Sequence, residues 1–150
     1  MGYKKYTKMQ HKFLWDAAGA DGCDSSTLTG TIPIFTTGAK CLVHSVKASV
    51  LTLVAGSSAE IVGDGDDDNG FLEDGFAAAT GVYPLYAGDS SATFAGAYSF
   101  DQNAGGTDAL DVDSLPKAKY YASSDTIDFK ITGTASAGKI VFLVEFEVVG

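Results

Sequence analysis

Residues 125–149 read DTIDFKITGTASAGKIVFLVEFEVV, and this stretch decides the fold class. In its first part Ile127, Phe129 and Ile131 fall on one side, with Asp128, Lys130 and Thr132 on the other. Successive side chains of an extended chain point to opposite faces, so this alternation marks a half-buried β-strand. "KIVFLVEFEVV" repeats the pattern, with Ile140, Phe142, Val144, Phe146 and Val148 on one side and Glu145 and Glu147 opposite. "GTASAG" between the two runs has the length of a hairpin connection, so an antiparallel pair of strands is expected.

The same period governs the chain upstream. From Leu42 to Val54 the even positions include Leu42, His44, Val46, Ala48 and Val50, and the odd ones Ser45, Lys47 and Ser49 before Leu51 and Leu53 turn apolar. That predicts a strand with one buried face. "GTIPIFT", "VYPLYAG" and "AKYYAS" predict shorter strands, the first an edge because Pro33 cannot donate to a ladder. Only "FLEDGFAAATG" has helical character, over about two turns closed by Gly81. Short strands, 18 glycines and almost no helix give an all-β class: a single-domain β-sandwich or jelly roll. Residues 87–115 read as long polar loops, the kind that serve binding or assembly.

Residues 1–29 read as an N-terminal arm and linker, and 30–150 as the sandwich domain. Helical spacing from Lys4 to Trp15 is irregular. Tyr3, Tyr6, Phe13 and Trp15 are costly to leave in water, which points to a segment that orders against a partner. Lys4, Lys5, Lys8 and Lys12 give residues 1–15, which hold no acid, a charge of +4. The other 135 residues hold six lysines against nineteen acids, a net of −13. Such a body, with no arginine anywhere, is unsuited to nucleic acid or an anionic membrane. No apolar run follows the basic start as a secretory signal requires, and Cys41–Val54 is too short to span a bilayer. Cys23 and Cys41 are expected as reduced thiols of a protein made in the cytosol.

The acidic stretch VGDGDDDNGFLEDG, residues 62–75, packs six acids and four glycines into fourteen positions. Asp64, Asp66 and Asp68 alternate as calcium ligands do, but Gly75 then falls where the bidentate glutamate belongs. The pattern favours a turn built on Asx bonds and left-handed residues, leaving Asp64, Asp66 and Asp68 as a weak cation site at most. His44 is expected as a hydrogen-bonded core residue. No nucleophile elbow, P-loop, zinc motif or C-x-x-C occurs, so the chain reads as non-enzymatic and without a cofactor. Tyr83, Tyr86, Tyr98, Tyr120 and Tyr121 leave open a carbohydrate-binding module, and the aspartates a calcium-binding one, as a tail or adhesion component.

Two pieces, "GDGDDDNGFL" and the closing "DTIDFKITG…SAGKIVFLVEF", together resemble β-sandwich virion proteins of tailed bacteriophages, over about residues 30–150. The resemblance implies a capsid-decorating (cement) protein, often a homotrimer, with the major capsid protein or other virion subunits as partners. It implies no catalytic residue, and a location in the virion after synthesis in the host cytoplasm. Tyr3, Lys4, Lys5, Tyr6, Lys8, Lys12, Phe13 and Trp15 are then the expected partner-binding arm, with aromatic anchors and lysines that steer towards an acidic patch.

Overall fold

The structure, a computed structural model, describes residues 7–86, 92–98 and 118–149. Its strands are β1 (Met9–Asp16), β2 (Gly30–Thr36), β3 (Cys41–Gly63), β4 (Gly81–Tyr83), β5 (Leu85–Tyr86), β6 (Ala92–Thr93), β7 (Lys119–Tyr121) and β8 (Thr126–Val148). The fold is all-β. In the main sheet the order is β1-β8-β3-β4, with β2 also on β8 and β7 also on β3; β5 and β6 pair separately.

β3 and β8 are 23 residues each and pair antiparallel from Cys41↔Val148 to Gly63↔Asp128. Straight strands of that length would reach about 75 Å, roughly twice the width of a compact chain of this size. The ribbon therefore folds over. Phe129 and Phe142 lie on opposite halves of β8, yet their ring centroids are 4.9 Å apart. Phe35, which sits beside Ile127, likewise meets Phe146 at 4.6 Å. One layer holds β2 with the first half of β8 and the second half of β3. The other holds β1, β4 and β7 with the remaining halves. The core between them is closed by Trp15, Phe71, Phe76, Phe129 and Phe142, all essentially without exposure.

The corner lies at Leu51–Ser58 of β3 and Gly133–Gly138 of β8, where the register slips three times between Thr52 and Ala59. Bulged or bent strands turn corners between layers in this way. Gly56 has φ 89°, and a Cβ there would lie 2.9 Å from the Thr134 carbonyl oxygen. A Cβ on Gly138 would meet the Trp15 ring at 2.8 Å. The 17–29 loop crosses the corner from one layer to the other: Ala135 N–H donates to Leu28 at 2.8 Å and the Trp15 indole to Thr27 at 2.7 Å.

Four expectations change. "GTASAG" is no hairpin, because Ala137 and Gly133 pair with Ala55 and Ser57 of β3, so the two runs of residues 125–149 form one strand through both layers. The helix reduces to a 3-10 turn at Phe76–Ala78, since Leu72 bridges to Val62 and Ala95 and Gly75 is left-handed at φ 99°. A bulge between Val43 and Ser45 shifts the phase of β3, so Cys41 and Val43 are buried while Leu42 and His44 face outward. Finally, residues 9–16 are a strand of the sheet, paired at every position with β8, rather than an arm or helix. Trp15 at 0% exposure explains why: its ring fills the corner of the core. Pro33 does sit on an edge strand, as its chemistry requires. Residues 87–91 and 99–115 of the expected loops lie outside the described residues, while the backbone of residues 94–98 hydrogen-bonds to the acidic stretch.

Candidate functional site

At the end of the folded ribbon opposite the corner, the two termini of β3 come together, and Asp64 joins them. Gly63 ends β3 in one layer; Lys119 and Tyr121 belong to β7, which pairs with Val43 and Cys41 at the strand's start in the other. Asp64 Oδ2 accepts from Lys119 Nζ at 2.5 Å and from the Tyr121 hydroxyl at 2.7 Å. Oδ1 accepts from the N–H groups of Asp66 and Asp67, both at 3.0 Å, and from the Tyr98 hydroxyl at 3.3 Å. Lys119 Nζ also lies 3.7 Å above the Tyr98 ring centroid and 4.9 Å from that of Tyr121. Asp64 is 2% exposed, so these contacts act with little water to screen them.

Burial by itself would push the Asp64 carboxyl up. The hydrogen bonds from Lys119, Tyr121 and the turn amides outweigh it and hold the carboxyl below the usual carboxylate range. For Lys119 burial acts downward, and the Asp64 and Tyr98 contacts override it, raising the ammonium. Burial and the Asp64 hydrogen bond push the Tyr121 phenol up, which keeps it a donor. The unit is a buried ion pair set in aromatic rings: a clasp between layers.

The expected cation set separates. Asp68 turns to Lys130 at 3.0 Å, and Asp66 lies 3.7 Å from Lys119. The acidic group that does converge is Asp64, Asp66 and Asp125, one oxygen of each within 4.8 Å of the others. The Lys119 ammonium supplies positive charge there. Two further carboxyls are enclosed by the fold. Glu60 is buried, accepts from Ser57 and is pushed up by burial. Asp128 is pushed up by burial too, and its Oδ1 is enclosed without a hydrogen-bond partner among the described residues.

Other singled-out residues scatter. His44 faces outward, 2.9 Å from Glu147 Oε1, rather than into the core. Tyr83 and Tyr121 are core, Tyr98 is committed to Asp64, and Tyr120 alone of the described tyrosine side chains is well exposed, so the described ones form no sugar platform; the side chain of Tyr86 lies outside the described residues. Cys23 and the buried Cys41 are both free thiols. Of the arm residues, Tyr3, Lys4, Lys5 and Tyr6 lie outside the described residues. Lys8 pairs with Glu145 at 3.5 Å, Lys12 is exposed on the sheet face, Phe13 packs against the core, and Trp15 is removed from any partner by its burial. Sequence reasoning missed Lys119, whose only local mark is the "KYY" that ends in Tyr121.

No family model matches the sequence, and no curated protein sequence matches it. A search of solved structures gives a chain from the acidic stable capsid structure of Helicobacter pylori bacteriophage KHP30, with TM-score 0.55 and 13% identity. The likeness covers 93% of this chain and 86% of that one, so it extends over most of the fold.

Proposed function

We propose that the chain is a non-enzymatic structural protein of a phage virion, a capsid-decorating (cement) protein that binds the shell and stabilises it. The observation that carries this reading is the near-complete fold match to a chain of a phage capsid structure. The site chemistry agrees, since the most buried charges are spent on each other and join two layers of the body. A decorating subunit gains from rigidity, because each copy docks without ordering costs and a symmetric lattice multiplies a modest contact. The acidic body keeps free copies dispersed and away from DNA. Residues ahead of β1, with Tyr3, Lys4, Lys5 and Tyr6, act as a basic tail towards a neighbouring subunit, and the sandwich self-associates as a homotrimer.

The test is binding of purified protein to undecorated particles, followed by sedimentation and by shell stability against heat. Co-sedimentation at a fixed copy number per shell subunit, with a later onset of particle rupture, is expected. Failure to co-sediment, together with absence from purified virions, would overturn the reading.

A further inference from the structure

We infer that the outward sheet face around Leu143 is the surface that meets the virion partner, an inference that rests on the cement reading above. Strand register builds this face. Lys12 of β1, Leu143 of β8 and Lys47 of β3 stand side by side in one row. Val141, Ser49 and Val82 stand in the next. Together they line a shallow trough of about 370 Å³.

The first argument is the pattern of the central strand. An antiparallel sheet with one wet face alternates apolar and polar side chains, whereas a strand covered on both faces reads as an unbroken apolar run. Ile140–Val144 of β8 is such a run. Its inward residues are buried, but Val141 and Leu143 on the other face keep part of their surface exposed. Val82 beside them is 51% exposed and Leu51, further along the face, 53%.

The second argument is charge. Lys8, Lys119, Lys130 and Lys139 each have a carboxylate, at 3.5, 2.5, 3.0 and 3.9 Å. Lys12 and Lys47 are exposed and have none among the described residues. They flank Leu143 on neighbouring strands, so their stems start about 10 Å apart. In a chain with nineteen acids, two unpaired cations around an apolar centre fit a protein surface with carboxylates around an apolar centre. The same face of a second copy would set lysine against lysine. A nucleic acid would meet the lysines but not the apolar centre, and would be repelled by the acidic body.

The experiment is co-sedimentation of the full chain with undecorated particles, at low and high salt. K12E/K47E is compared with L143Q and with K40E, an exposed lysine off this face; melting curves verify folding. Wild type and K40E should bind alike and more weakly at high salt. K12E/K47E and L143Q should each lose about tenfold or more in apparent affinity. Wild-type binding with K12E/K47E equally tight would overturn this inference and leave the cement reading standing. No binding by wild type would overturn both. If the purified chain is oligomeric and K12E/K47E dissociates it, the occupant is a second copy and the inference is equally overturned.

Discussion

Asparagine at position 64 tests the clasp directly. Asp64→Asn keeps the side-chain shape and one oxygen for the turn amides, but turns an NH₂ group towards Lys119 and Tyr121, which now donate to Oδ2 at 2.5 and 2.7 Å. Removing one partner from a buried ion pair costs about 3–5 kcal/mol, chiefly because the other charge is stranded. The Lys119 side chain keeps 17% exposure and has Asp66 at 3.7 Å, so the lower end, about 3 kcal/mol, applies. For a chain of this size that corresponds to a fall in Tm of about 6–12 °C. Adding Lys119→Met removes the stranded charge, and the double variant should recover more than half of the loss. The pH dependence has a defined sign. The folded Asp64 carboxyl lies below its unfolded value of about 4, so its contribution is complete above that value and fades as pH falls through the folded one. The gap between wild type and D64N should therefore narrow in acid. Thermal melts followed by circular dichroism from neutral to acidic pH measure this. A D64N protein melting within about 2 °C of wild type would refute the reasoning. So would a wild-type Tm that climbs several degrees with calcium, since the carboxylate would then serve a metal.

Three other outcomes follow from the geometry. Gly56→Ala puts a Cβ against the Thr134 carbonyl at a left-handed position, and should cost about 2–3 kcal/mol, read as a lower urea midpoint. Trp15→Ala should cost about 3–5 kcal/mol, and deletion of residues 2–15 should abolish the β-sheet spectrum; a folded deletion protein would show that β1 is dispensable. Asp128→Asn replaces a carboxylate whose Oδ1 is enclosed without a partner among the described residues, and should leave stability at neutral pH unchanged or raised by about 1 kcal/mol. Because burial raises the wild-type Asp128 carboxyl, its penalty exists above the folded pKa and is relieved as pH falls through it; the D128N advantage should vanish in acid, and one that persists there would contradict the assignment.

Period two along residues 125–149 and 42–54 was enough to establish an all-β chain, and Pro33 was enough to put β2 at an edge. The corner was half visible as well. Buried positions run odd through Ile127, Phe129 and Ile131 and even through Ile140, Phe142 and Val144, a change of phase that marks an irregularity between them. A hairpin and a bent strand both satisfy it. The difference lies in which strand supplies the hydrogen bonds of residues 133–138, and that partner, β3, is about 80 residues away in the chain. The acidic stretch was legible as a turn, because Asx bonds reach only two or three residues.

The sequence by itself determined strand character, the turn at Asp64 and the division of charge, since each depends on side-chain type and on neighbours a few residues away. Only the tertiary structure decided that the strands run through both layers, that Trp15 belongs to the core, and that Lys119, 55 residues from Asp64, is its counter-ion. These depend on long-range pairing, where packing and desolvation of the assembled body outweigh anything a local window can report.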